Sequence, residues 1–479
     1  MTDVATPRKL DVDVAIIGAG TAGMAAFRAA TKRGKHAVLI EAGSYGTTCA
    51  RVGCMPSKLL IAAAEAAHHA KEAAPFGVHA EVKIDGKEVM DRVRRERDRF
   101  VGFVLESVES FPSEKRILGR ATFTGPNELV VDLADGSGKL AIHTKTAVIA
   151  SGSAPIVPPV FDAIRDRLII NDDVFAWETL PESVAVFGAG VIGLELGQAL
   201  HRLGVRVRVF GKGNTVGPLQ DPVVKEAAIA IFEHELAADF DAKVIAVEPE
   251  GKGVRVRFHD RDGNEKSESF GCALIAAGRR PNVHQLGLES AGIAADTRID
   301  RVTLQWGSSN VFVAGDATND IPLLHEAADE GTIAGDNAAR FPDVAPGKRR
   351  SGLGIAFSDP AMAVVGGGFP AASKQPYCVG QIDFGDQGRS RVMLQNRGIA
   401  RLYADCHTRR FLGAEMIGPR AEHLAHLLAW AHQSELTVDQ MLAMPFYHPV
   451  IEEGLRTALR DVVAKLDDRP AKATPGDYK

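Results

Sequence analysis

The sequence predicts an α/β fold in which two successive βαβ units are followed by a C-terminal α+β domain. Three observations carry that prediction. A glycine-rich turn at residues 18–23 lies between a short apolar run and an alanine-rich stretch, the same programme restarts at residue 184, and strands precede helices between residues 357 and 466.

Residues 12–17 form the first apolar strand and 24–33 the helix that follows the turn. Residues 37–40 supply a second strand that ends at Glu41. The periodicity then predicts a helix over 54–74 and a long amphipathic one over 87–111. From 116 to 150 the pattern changes to short strands with glycine turns. The restart reads strand 184–187, turn 188–193, helix 194–203 and strand 205–210, with a second meander over 243–277. Two βαβ units, each followed by a strand cluster, make an internal repeat and predict two Rossmann-like dinucleotide-binding domains. A buried strand at 311–314 leads into Gly315 and Asp316, and a helix follows at 324–340. Residues 342–352, rich in Pro, Gly and basic side chains, read as a linker. Residues 467–479 have the composition of a disordered tail.

The chain has 479 residues, enough for two to four domains at ~100–200 residues each. Its 45% hydrophobic and 24% charged composition suits a globular protein with a real core. A formal charge of −5 supplies no basic field, which argues against a nucleic-acid partner. Residues 1–10 hold no apolar segment of a secretory signal, and no run approaches the ~20 apolar residues of a membrane span, so a cytoplasmic protein is expected. Five cysteines, an odd and low count, argue against a structural disulfide framework.

The first turn reads Gly18-Ala19-Gly20-Thr21-Ala22-Gly23. Glycines there permit a tight turn and close approach of backbone to a pyrophosphate seated at the positive end of the next helix. The end of the second strand reads the ribose, and 41 − 18 = 23 residues on stands Glu41, whose carboxylate can accept both ribose hydroxyls. The second copy is Gly188-Ala189-Gly190-Val191-Ile192-Gly193. Its matching position, 188 + 23 = 211, is Gly211, with Lys212 and Arg206 close in sequence. That pattern tolerates a 2′-phosphate and gives a free 2′-hydroxyl no acceptor, so it favours NADP over NAD.

Between the turns lies Cys49-Ala50-Arg51-Val52-Gly53-Cys54-Met55-Pro56-Ser57-Lys58. Four residues between two cysteines is too short for an ordinary staple, and no further pair completes a zinc site, so no metal is expected. A loop entering a helix favours a thiolate at the helix start, and Lys58, four residues past Cys54, shares its helix face.

Glycine turn, C-x4-C-x-P-S-K and second glycine turn, in that order, resemble the pyridine nucleotide–disulfide oxidoreductases, most of all their dihydrolipoamide dehydrogenase branch. The resemblance runs from Val12 to about Leu466. It implies FAD on the first turn, NAD or NADP on the second, and a small dithiol, disulfide or lipoyl-protein substrate. Cys54 would face the flavin as a thiolate and Cys49 would exchange with substrate, while Lys58 would pair with Glu195 near the flavin. Ser151 and Gly152, in Ala150-Ser151-Gly152-Ser153, match the strand-end motif, and Gly315 and Asp316 match the second FAD contact. His448 and Glu453 match H-P-x-x-x-E, a histidine–carboxylate pair delivered by the partner subunit of a homodimer. Pro449 suits the first turn of a helix and would place His448 just outside it. The implied division is an FAD-binding domain from residues 1–153 and 282–350, a nucleotide domain at 154–281 and a dimerisation domain at 351–466.

Three departures stand out. Gly46-Thr47-Thr48 replaces the family's Gly-Gly-Thr, Arg51 replaces an Asn, and Gly211 replaces the acid of the NAD-linked members. The alternative they leave is an NADPH-dependent reductase of another disulfide, resembling glutathione reductase. The last cysteine, Cys406, lies far from the C-terminus, which argues against a mercuric reductase.

Overall fold

A computed structural model describes residues 8–260 and 262–468; the expected disordered tail lies, from residue 469 on, outside the described residues. The described chain groups into two compact units, one of residues 8–59, 91–156 and 278–350, the other of 60–90, 157–277 and 351–468.

In the first unit, four parallel strands lie in the order Ala37–Glu41, Arg8–Ile17, Lys139–Ile149, Val311–Val313. Val14 and Ile16 enter the core on one face, and Ala15 and Ile17 enter it on the other. Burial on both faces is why this strand reads as a continuous apolar run rather than an alternation. Register pairs Ile17 with both Ile40 and Ile149, and Ile149 with Val313, so the carboxyl ends of all four strands are level. The connection after Arg8–Ile17 runs to Ala37–Glu41, and that after Lys139–Ile149 returns to this sheet at Val311–Val313, on the opposite side. The gap between these two central strands is therefore the switch point where α/β sheets hold ligands. Strands Arg116–Gly125 and Glu128–Leu133 form the meander predicted after the first βαβ unit.

Helices Thr21–Lys32 and Leu324–Arg340 pack on one face of this sheet with almost no space between their backbones. A Cβ on Gly331 would stand 2.2 Å from the Ala22 carbonyl oxygen, and one on Gly335 would stand 2.3 Å from that of Ala26. The stretch expected to be a linker is tied down here. The Asn337 side chain accepts the Ala345 N–H and donates to its carbonyl, and Arg349 bonds Glu326 at 2.7 Å and Glu330 at 2.9 Å.

The second unit contains a parallel sheet in the order Ala237–Asp239, Arg206–Phe210, Ser183–Phe187, Cys272–Ile275, Leu168–Ile169, again with level carboxyl ends. Its second sheet is antiparallel, in the order Leu353–Ala356, Ala361–Val365, Phe411–Gly418, Ile399–Asp405, Tyr377–Asp383. Helices Ala421–Gln433 and Glu453–Asp467 pack on it through Leu424, Leu428, Leu455, Leu459 and Val462. Two buried charge groups join the segments of this unit. Arg202 bonds Glu235 at 2.5 Å and Asp359 at 2.9 Å, and Asp221 accepts from Arg401 and Tyr403, each at 2.7 Å. Buried Glu415 takes the N–H groups of Gln220, Asp221 and Phe369. Burial works against the Glu235 carboxylate, yet its bonds to Arg202 and Gln198 hold its pKa below the ordinary range.

The backbone contact of Gly331 gives the first testable outcome. Gly331→Ala should cost about 1–3 kcal/mol by overpacking despite the better helix propensity of alanine. Gly102→Ala, in helix Gly86–Glu109 with no atom within 4 Å of a Cβ, should gain about 0.5–1 kcal/mol. Urea midpoints of the two variants should move in opposite directions; movement together would refute the packing argument.

Candidate active site and nucleotide turns

Both glycine turns are built on the same two contacts. In the first, Gly18 has φ +109°, and a Cβ there would stand 2.2 Å from the Ala150 carbonyl oxygen; one on Gly23 would stand 1.8 Å from that of Gly18. In the second, the corresponding distances are 2.3 Å from Gly188 to Ala276 and 1.9 Å from Gly193 to Gly188. Gly20 and Gly190 instead face open space, each at the N-terminus of a twelve-residue helix. Four glycines close the turn and two leave room for a phosphate against helix N–H groups.

Around the first turn the polar groups are already oriented. Glu41 accepts the Ala19 N–H at 2.7 Å and the Gly43 N–H at 2.9 Å, which fixes its carboxylate at the strand end. Ser151 follows strand Lys139–Ile149 at the switch point, and its buried Oγ has no hydrogen-bond partner among the described residues. An open phosphate cradle, a set carboxylate and an unsatisfied hydroxyl on one sheet edge fit a bound dinucleotide.

Asp316 is held by residues whose importance the sequence did not signal. Ser153 Oγ donates to Asp316 at 2.6 Å, and Arg279 donates to Ser153 Oγ at 2.8 Å. Glu330 accepts the Gly315 N–H at 2.8 Å. These partners are 163, 126 and 15 positions apart, so local pattern could not have paired them. Gly152, at φ +68°, turns the chain between them.

At the second turn, a Cβ on Gly211 would lie 2.8–3.0 Å from the Phe240 backbone, so this position excludes any side chain, the expected acid included. Lys212 beside it is exposed. Arg206 has to be removed from the group expected near the ribose. It opens strand Arg206–Phe210, 211 − 206 = 5 residues or roughly 16 Å from Gly211 at ~3.3 Å per residue. Its guanidinium bonds the Ser269 carbonyl and lies over the Phe270 ring.

The redox candidates sit at a break between two helices. Cys49 lies in the short helix Thr48–Val52, and Cys54 opens helix Cys54–Lys71. A Cβ on Gly53 would stand 3.1 Å from the Thr48 carbonyl and 3.3 Å from Cys49 Cα, so glycine lets the second helix start close over the first. Both cysteines are free thiols, Cys49 half-buried and Cys54 exposed. A hydrogen bond with Cys54, then burial and the Cys54 charge, push the Cys49 thiol far above its ordinary value, and the Lys58 charge opposes this. Of the two sulfurs, Cys49 is the one whose surroundings oppose ionisation.

His448 and Glu453 meet as their spacing predicts, with Nδ1 2.9 Å from Oε2. Glu453 also accepts from the Val450 N–H and from Arg456. Burial opposes its charge, but the His448 bond, then the backbone and Arg456, bring its pKa below the ordinary value. Pro449 is not in the first turn of the helix, which begins only at Glu453. The His448–Pro449 peptide is cis, and residues 449–452 form a turn that brings the histidine back to Glu453. The His448 side chain is 80% exposed. Lys58 and Glu195 fall in different units; Glu195 is buried and accepts the Phe357 N–H at 2.8 Å.

Residues 12–331 match the model of the pyridine nucleotide-disulphide oxidoreductases, and residues 354–459 match the dimerisation domain of the same group. The chain belongs to this family. It is 31% identical to a dihydrolipoyl dehydrogenase of Halobacterium salinarum, over 93% of this chain and 95% of that one. A mercuric reductase of Acidithiobacillus ferrooxidans is 29% identical over 94% of this chain and 82% of its own. Among solved structures, LpdA of Mycobacterium tuberculosis superposes with a TM-score of 0.79 at 25% identity, covering 94% of this chain and 99% of that one.

As a pyridine nucleotide–disulphide oxidoreductase, the chain is a flavoprotein enzyme that uses FAD and NAD(P) and carries a dimerisation domain. Its departure from the family pattern at Thr47 has a backbone consequence. Thr47 stands at φ 51°, ψ 150°, a region suited to glycine and strained for a β-branched residue, and its Oγ1 accepts the Ala50 N–H at 3.3 Å. Thr47→Val keeps the strain and loses the cap, so it should destabilise by about 1–2 kcal/mol. Thr47→Gly loses both and should stay within about 1 kcal/mol of the parent. Equal losses in urea unfolding would rule out the strain.

Proposed function

We propose that this enzyme moves electrons between a dihydrolipoyl-type dithiol and a nicotinamide nucleotide, as a homodimer in which His448 and Glu453 of one subunit serve the cysteines of the other. The carrying observation is the hydrogen-bonded pair Cys49 and Cys54 at the head of a helix. In the oxidised pair, one substrate sulfur attacks Cys49 and the Cys49–Cys54 bond breaks, leaving Cys54 as thiolate. The second substrate sulfur attacks the first, and Cys49 departs and takes a proton. With Nδ1–H donated to Glu453, the free Nε2 of His448 removes the substrate's proton and returns it to Cys49. Bound FAD would supply the two-electron chemistry between the Cys54 sulfur and the nicotinamide. Glu41, Ser151, Gly152, Gly315 and Asp316 would hold it, and Lys58 with Glu195 would tune it. Exposed apolar residues flanking the histidine, Tyr447 at 78% and Met444 at 51%, support burial of this segment by a partner. The dihydrolipoyl dehydrogenase names of relatives support the substrate class.

One observation favours a second reading, an NADPH-dependent reductase of another small disulfide. Gly211 bars an acid from the ribose position and Lys212 offers a cation beside it, so the nucleotide preferred is NADP(H). Anaerobic mixing with dihydrolipoamide should produce the long-wavelength absorbance of a thiolate beside the flavin. If that absorbance arises with NADPH but not with dihydrolipoamide, the lipoyl substrate is discarded and the second reading stands.

Two variants test the roles. His448→Gln should lower dihydrolipoamide turnover by about 100-fold or more at unchanged flavin content. Lys212→Ala should lower kcat/KM for NADPH about tenfold, the size of one lost charge-assisted hydrogen bond, and leave NADH use nearly unchanged. Equal losses with both nucleotides would exclude phosphate recognition by Lys212.

A further inference from the structure

A second pair of thiols lies in the antiparallel sheet of the second unit. Neither Cys378 nor Cys406 is in a disulfide, and their sulfurs stand 3.9 Å apart. Cys378 is buried on strand Tyr377–Asp383, opposite Ala404 of strand Ile399–Asp405. Cys406 follows two positions after Ala404, so strand alternation turns it to the same face as Cys378. Cys406 is half-buried, because the strand ends at Asp405. The Cys406 N–H donates to the Pro376 carbonyl at 3.1 Å. The turn after it is fixed by Asp405, which accepts the N–H groups of His407 and Thr408. The thiols are therefore held against each other, one reachable from solvent and one behind it. Cys272 differs: it is buried alone, and burial pushes its thiol up to about 11.

We propose that Cys378 and Cys406 are a second redox site, separate from the Cys49–Cys54 pair, that a hydroperoxide converts to an intrachain disulfide. The Cys406 thiolate attacks a peroxide oxygen, the O–O bond breaks, and with hydrogen peroxide one water leaves as Cys406 becomes a sulfenic acid. The Cys378 sulfur then attacks the Cys406 sulfur, the S–O bond breaks, and a second water carries off the Cys378 proton. Two thiols are oxidised and one peroxide is reduced to two waters. The sulfurs must close from 3.9 Å to about 2.05 Å, a movement that side-chain rotation at the strand end can supply.

The site has an unambiguous readout, because trypsin places Cys378 in the peptide spanning residues 375–389 and Cys406 in that spanning 402–409, both apart from the Cys49–Cys54 peptides. Purified holoenzyme would be treated with hydrogen peroxide, alkylated in denaturant, digested and mapped by mass. The expected result is a linked pair of these peptides lighter by two hydrogens than the separate thiols, with Cys272 still alkylated. Cys406→Ser should abolish the link and leave NAD(P)H-dependent disulfide reduction unchanged. Full alkylation of both cysteines after treatment would overturn the proposal. So would Cys406 ending as a sulfinic acid with Cys378 untouched, or a link joining two chains instead of one.

Discussion

Both nucleotide turns rest on a backbone contact that leaves no room for a Cβ. Gly23 lies on the Gly18 carbonyl, Gly18 lies on that of Ala150, and Gly193, Gly188 and Ala276 repeat the arrangement. Because the contact is backbone on backbone, it fixes where the helix starts relative to two strands at once. The parallel register then brings every other strand end level with that point. Glu41, Ser151 and Gly315 share one edge for this reason, though they are far apart in sequence.

The redox pair obeys a related rule at smaller scale. Gly53 lets one helix end and the next begin within van der Waals distance of Cys49. Helix geometry alone would carry two residues five positions apart onto different faces. The break overrides that spacing and makes a sulfur–sulfur hydrogen bond possible. The hydrogen bond and burial then separate the two sulfurs chemically, since both oppose ionisation at Cys49.

Much of this was legible in the sequence because the signals are local. Strand, glycine turn and helix appear in order, and the two cysteines and the His448–Glu453 spacing mark residues that do meet. What was not legible depends on distance through the fold. Ser153 reached Asp316, and Arg279 reached Ser153, only when strands Ser153–Pro155 and Arg279–Pro281 paired. Arg206 is near Gly211 in the sequence but at the opposite end of an extended strand. Pro449 resembled a helix-start residue, yet the helix begins four positions later, at Glu453.

The buried charges of the second unit carry a consequence for anyone recombining this chain with its relatives. Arg202 answers to Asp359, and Asp221 answers to Arg401 and Tyr403. Each pair has one member before residue 351 and one after it. A chimera whose antiparallel sheet lacked Arg401 and Tyr403 would leave the Asp221 carboxylate enclosed without its counterpart, a defect worth about 3–5 kcal/mol, whereas Arg202 would keep Glu235. The sheet and the nucleotide-binding segment before it are thus inherited as a matched set, and exchange between relatives should succeed best where positions 221, 401 and 403 travel together.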